Sequence, residues 1–143
     1  MQNTRQSIRL NTNYNNKGHE QMKFLDSLAP HVHWLIRLSL AGTFIAHGIP
    51  KFPPDGLVAM GMPLIVSWAV AFGEVGAGIA LIAGAFTDER LTRLGGLLVV
   101  VIMIGAISLV HFKNGWLVQN KGMEFQVLML AAGMYFLTKG NKV

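Results

Sequence analysis

Residues 60–86 read MGMPLIVSWAVAFGEVGAGIALIAGAF, 27 positions with a single charge, Glu74. A run of this length exceeds the ~20 apolar residues that carry an α-helix across a bilayer. Pro63 falls in the first turn, where its missing N–H is tolerated. Gly73, Gly76, Ala77, Gly78 and Ala80 are small enough to let helix backbones approach closely in lipid. The stretch therefore predicts a transmembrane helix that packs tightly on one side and carries one expensive carboxyl.

Reading outward, three more apolar runs appear. Trp34–Ile49 precedes the central stretch, and Pro50, Pro53, Pro54 and Gly56 forbid regular helix after it. After the charged turn Thr87–Arg90 comes Leu91–Phe112, the most uniformly apolar of the set. A polar loop, Lys113–Gly122, contains Trp116 and leads into Met123–Thr138, which is short but followed by Lys139 and Lys142. Four spans, at about 34–49, 60–86, 91–112 and 123–138, joined by short connections, predict an all-α, integral membrane, up-down four-helix bundle occupying residues 33–140.

Composition agrees. The 143 residues are 52% apolar and 13% charged, against roughly 25% charged in a typical soluble domain. Six of the 19 charged residues lie in the first 26 positions. Residues 1–32 are polar and rich in Asn and Gln. They read as a mobile cytoplasmic segment with at most a short interfacial helix around Gln21–Leu28. A cleavable signal peptide is not expected, because the first apolar stretch starts late and no small-x-small site follows it. The chain has no cysteine, which excludes a disulfide framework, a CxxC redox pair, thiolate-held iron–sulfur and c-type haem attachment.

Basic residues set the expected orientation. Arg5, Arg9, Lys17, Lys23, Arg37, Arg90, Arg93, Lys139 and Lys142 fall on one side, and Lys51, Lys113 and Lys121 on the other. The positive-inside rule then places both termini in the cytoplasm. Trp34 and Trp116 suit aromatic belts at the two interfaces. The net charge of +5 is explained by orientation in a lipid bilayer rather than by nucleic acid.

An ionisable side chain within a span costs roughly 2.5–3.5 kcal/mol on insertion scales and usually faces protein or water. Glu74 shares its helical face with Ser67, Val70, Ala71, Ala77, Gly78 and Leu81. It reads either as a proton-handling or ligand-binding carboxylate, or as a structural ion pair or protonated core carboxyl. Arg37 lies about one turn inside the inner edge. Its long side chain either reaches toward Glu74 or snorkels back to the interface. His47 and Lys51 at the end of the first span, His111 at the end of the third and Glu124 at the start of the fourth all converge on the outer half, above Glu74. That constellation suits a quinone head group, a polar small molecule or a proton relay. For His111 and Glu124 the plainer reading is ordinary interfacial placement.

His47 and His111 are on different helices at similar depth, so haem or metal ligation is geometrically allowed; two histidines with no further pair are weak evidence for it. No metal site is expected. His19, His31 and His33 sit in the polar segment and read as solvated surface. Met60, Met62, Met103, Met123, Met129 and Met134 read as gap-filling residues. No phosphate loop, Ser-His-Asp order or HExxH occurs, and GEVGAG lies inside a hydrophobic span, where a dinucleotide reading lacks its strand–turn–helix context.

The run RLSLAGTFIAHGIPKF, from Arg37 to Phe52, resembles the opening signature of the DoxX family: an inner-edge Arg followed by a pattern like G-x-F-x-x-H-G-x-x-K. Gly61-Met62-Pro63 before the second span, GEVGAGIALIAGAFT within it and His111 near the end of the third continue the resemblance. It covers about Leu35–Gly140. The turn Thr87-Asp88-Glu89-Arg90 departs from it, since the family more often has Thr followed directly by Arg; so does the long N-terminal extension. The resemblance implies a multi-pass protein of the bacterial inner membrane, related to subunits of a terminal quinol oxidase and of quinone-linked thiosulfate oxidation. It also points to Arg37, His47, Lys51, Glu74 and His111.

Three functions compete at this stage. The first is a membrane subunit of a quinone-linked redox assembly, a non-catalytic oxidoreductase subunit dependent on membrane-protein partners because the chain has no cysteine and two membrane histidines. The second is a structural accessory subunit packed against a larger membrane complex, its polar residues fixing helix register; membrane-protein partners or a homo-oligomer are expected. The third is a small proton-coupled transporter, for which four helices are few and no inverted repeat is evident.

Overall fold

The computed structural model describes the backbone of residues 2–142 and the side chains of residues 22–142. The chain forms two compact units, Met1–Trp34 and Leu35–Val143. Among the described residues five α-helices follow in order: α1 (Gln2–Gly48), α2 (Asp55–Ala59), α3 (Leu64–Phe86), α4 (Glu89–Ala106) and α5 (Glu124–Lys139). A π-helical turn, Ile107–His111, continues α4, and short 3-10 turns occupy Ile49–Lys51, Phe112–Asn114 and Val118–Asn120. Among the described residues there is no strand.

In the first unit the backbone is helical from Gln2 onward, so the short helix expected around Gln21–Leu28 is part of a much longer one. The physical reason is local. Before Pro30 this stretch contains no proline and one glycine, Gly18, so nothing breaks the i→i−4 ladder. The helix has no continuous apolar stripe, and Met22, Phe24, Leu25 and Leu28 are exposed. His19 lies outside the residues whose side chains are described; His31 is exposed and His33 half-buried.

In the second unit the helices run close to the expected spans, with instructive shifts. The central helix starts at Leu64, not Met60. Pro63 caps it with extended backbone at φ −56° and ψ 140° instead of sitting in the first turn, because a proline biases the preceding residue away from helix. Gly61, at φ +89°, makes the turn before it. The proline-rich connection also holds one regular turn, α2, which begins after Pro54 with Asp55 at its positive end.

Packing inverts the pattern of a soluble protein. The exposed face of α3 carries Ile65, Phe72, Ile79 and Phe86, seven residues apart. Its buried face carries Ser67, Ala71, Glu74, Ala77, Gly78, Leu81 and Gly84. The exposed side of α4 likewise shows Leu94, Leu97, Val101 and Ile104 around buried Thr92, Gly95 and Gly96. Bulky apolar groups outside and small or polar groups inside are what lipid, not water, selects. Among the described residues two helical stretches are long and apolar enough to cross a membrane, Leu64–Phe86 and Glu89–Asn114. The last turns of α1 pack through Leu40, Ala41 and Phe44 against Ala77 and Leu81 of α3, with Val99 and Met103 of α4 and Phe136 of α5 completing the core. Helix α4 touches α3 on one side and α5 on the other; a Cβ at Gly96 would sit 2.5 Å from the backbone nitrogen of Leu137, so only glycine permits that approach.

Candidate functional site

The ends of α1 and α3 meet at one tight point. A Cβ on Gly48 would lie 2.9 Å from the Val75 backbone nitrogen and 3.0 Å from the Glu74 Cβ. Because Gly48 has no side chain, the 3-10 turn that follows lies against α3 at the level of Glu74. Lys51 closes this turn and points back. Its Nζ donates to the Glu74 Oε2 at 2.5 Å and to the His47 carbonyl at 2.9 Å. Glu74 is buried and Lys51 half-buried, with side-chain exposures of 9% and 23%. An ammonium has three donors; two are used here, and the remaining exposure leaves the third reachable. This is a charge pair in apolar surroundings with an open side.

Arg37 does neither of the things its sequence position suggests. It neither meets Glu74 nor snorkels to the surface; it is 1% exposed. Its Nη1 donates to the Leu81 carbonyl and, at 3.1 Å, to the Thr92 hydroxyl. Its Nη2 donates to the Asn141 side-chain oxygen at 3.0 Å, and its guanidinium lies 4.6 Å from the centre of the Phe136 ring. Thr92 also donates to Asn141 at 2.8 Å, and the Asn141 amide reaches the Gly84 carbonyl at 2.8 Å. The guanidinium thus ties α1, α3, α4 and the segment after α5 together. Leu81 is seven residues along α3 from Glu74, about 10 Å at 1.5 Å per residue. The apolar layer of Phe44, Ala77 and Met103 belongs to the core in between.

The outer constellation separates into parts. His111 ends the π-helical turn. Its Nδ1 lies 2.7 Å from the Lys121 carbonyl, which only accepts, so Nδ1 carries the proton. Its Nε2 then accepts from the Gln126 amide at 3.0 Å. Glu124 reaches back to accept from the Val118 N–H at 3.0 Å. Both residues close the loop between α4 and α5. His47 contributes its carbonyl to Lys51, while its residue as a whole is exposed. The structure therefore gathers Lys51, Glu74 and the His47 backbone into one place, and sets Arg37, His111 and Glu124 elsewhere. Among the described residues no group of three or more His, Asp and Glu side chains is placed to hold a metal ion.

Sequence reasoning passed over Thr92, Asn141 and Gln126. Gln126 had a signal: an amide two residues into an apolar run needs a partner in lipid. Thr92 and Asn141 had none, because each stands near a charged turn or tail where polar residues are ordinary.

The DoxX family model matches residues 33–112, more than half of the chain. The chain belongs to the DoxX family. The match contains α1 from His33 through the π-helical turn, and so includes Arg37, Lys51, Glu74 and His111. No curated protein and no solved structure matches the chain. Membership of the DoxX family and the inverted packing of α3 and α4 make this a membrane protein.

Proposed function

We propose that this DoxX protein is a multi-pass subunit of a quinone-linked redox assembly in the bacterial inner membrane, holding a quinone head group at the Lys51–Glu74 pair. In this reading α1 from about residue 34, α3, α4 with its π-helical turn, and α5 are four spans of an up-down bundle. Residues 1–32 and the tail after Lys139 face the cytoplasm, as the distribution of Lys and Arg supports. Helix α5 has 16 residues, about 24 Å, and needs the lysines at its end to complete a crossing.

The observation that carries the reading is the geometry of one lysine. Half-buried against Glu74, its Nζ spends two of three donors on the Glu74 carboxyl and the His47 carbonyl, and its third N–H is unspent. A quinone carbonyl would be an acceptor of the right kind, and a quinol oxidised by a partner subunit would release protons that a carboxylate is able to receive. Bound quinone would supply two-electron chemistry; the chain's residues would orient the head group and manage a proton. Electrons would come from and go to partner subunits.

The test is quinone titration of the purified chain in lipid nanodiscs, followed by Trp fluorescence. Lys51→Met is expected to weaken binding at least about tenfold, the loss of one charge-assisted hydrogen bond, and Glu74→Gln to weaken it less. Binding unchanged in both variants removes the site assignment. The accessory reading also has an observation behind it, since Arg37, His111 and Glu124 are all used to hold helices and loop together. It predicts no quinone binding by the wild type.

A further inference from the structure

A second concave feature lies at the Lys113 end of the helices, independent of the site proposed above. Met60 and Met62, turned by Gly61, face Leu109, Val110 and Lys113 across Pro63, enclosing a cleft of about 330 Å³. The π-helical turn contributes Leu109 and Val110, and such turns recur at functional positions in helices. The side chains that line it are thioether and aliphatic apart from Lys113, with polar backbone groups exposed between them. Thioether side chains adapt to irregular apolar shapes. Lys113 is exposed, and the two ion pairs among the described residues, Lys51–Glu74 and Arg93–Glu89, do not include it. Phe112 and Trp116 beside it are exposed as well, at 67% and 52%, which marks headgroup depth.

We propose that this cleft seats an acyl chain of an acidic phospholipid whose phosphate is met by Lys113. The apolar wall accounts for the chain, the single unpaired cation for the charge, and the aromatic flank for the depth. One lysine near a membrane surface contributes about a fivefold preference for an acidic over a zwitterionic lipid.

Native mass spectrometry of the full chain tests this, using nanodiscs of equal parts phosphatidylglycerol and phosphatidylcholine. The wild type is expected to retain one phosphatidylglycerol, with about that fivefold preference. Lys113→Gln should abolish the preference, and Lys121→Gln, on the same loop but outside the cleft, should keep it. Leu109→Trp, which fills the cleft from an exposed position, should lower retention of both lipids. Circular dichroism checks that each variant keeps wild-type helix content. The proposal falls if the wild type shows no preference, or if Lys113→Gln retains it. It also falls if Leu109→Trp dissociates a dimer without changing lipid retention, since a second copy then covers the cleft.

Discussion

Two cations, the half-buried Lys51 and the buried Arg37, meet α3 at Glu74 and Leu81, positions about 10 Å apart along that helix, and are satisfied in opposite ways. Lys51 is held by a carboxylate and one carbonyl and remains partly open. Arg37 is closed off by a carbonyl, a hydroxyl, an amide and an aromatic face, supplied from several parts of the chain. The first arrangement leaves a donor to offer beside a carboxyl group. The second leaves little to exchange, since its named acceptors are neutral and fixed by helix packing. A charged residue in a membrane span is a site hypothesis by default; what separates site from scaffold is whether its partners leave capacity unused.

The largest expected effect breaks the scaffold side. Arg37→Ala removes charge-assisted bonds to Leu81, Thr92 and Asn141 and the contact with Phe136. Relief from burying a cation offsets part of that loss. A net cost of about 3 kcal/mol is expected, with hydrogen bonds to a charged group at about 1.5–3 each before the offset. Thermal unfolding in detergent should show a fall in Tm well beyond that of Lys51→Met. Equal falls would erase the contrast between the two cations.

The next effect breaks the site side through its support. Gly48→Ala drives a methyl against Val75 and Glu74. Overpacking of this kind costs about 1–3 kcal/mol, and here it also moves the turn that presents Lys51. Quinone affinity should fall together with stability. A Gly48→Ala chain that binds like the wild type would mean that Lys51 does not need its tight seat.

The contrast also explains what the sequence made legible. Apolar runs of spanning length, broken by prolines and charged turns, gave α3, α4 and α5 to within a few residues, because lipid imposes both length and composition. The buried face of α3 followed from 3.6-residue periodicity and its small residues. The direction of Arg37 did not follow. Its depth was readable, but its partners, Thr92 and Asn141, lie 55 and 104 positions away, and only tertiary packing brings them together. For the same reason the partners of His111 and Glu124, the Lys121 carbonyl and the Val118 N–H, were not readable. Each is near the end of a helix, yet the loop between α4 and α5 turns His111 and Glu124 onto its own backbone. In the N-terminal stretch only Gln21–Leu28 is legible as helix, because the Asn- and Gln-rich residues before it carry no apolar periodicity.

A smaller effect tests the loop. Gln126→Leu removes the donor to the His111 Nε2 and leaves the Lys121 carbonyl bond in place. A cost of about 0.6 kcal/mol is expected, the average for an interhelical hydrogen bond in a membrane protein. Quinone binding at Lys51–Glu74 should be unaffected. Loss of binding in this variant would return His111 to the site.

The smallest effect is expected six residues from one of the larger ones. Gly42 lies on the same helix as Gly48, but a Cβ built there meets nothing within 4 Å. Gly42→Ala should therefore change stability by less than about 0.5 kcal/mol, the range of surface substitutions away from special features, and leave quinone affinity intact. The two alanine substitutions are chemically identical and share the helix-propensity gain of replacing glycine, so their difference isolates the close approach to α3. If Gly42→Ala instead costs as much as Gly48→Ala, the exposed side of α1 is covered in the membrane by another helix. The comparison would then measure an intermolecular contact beside the internal one.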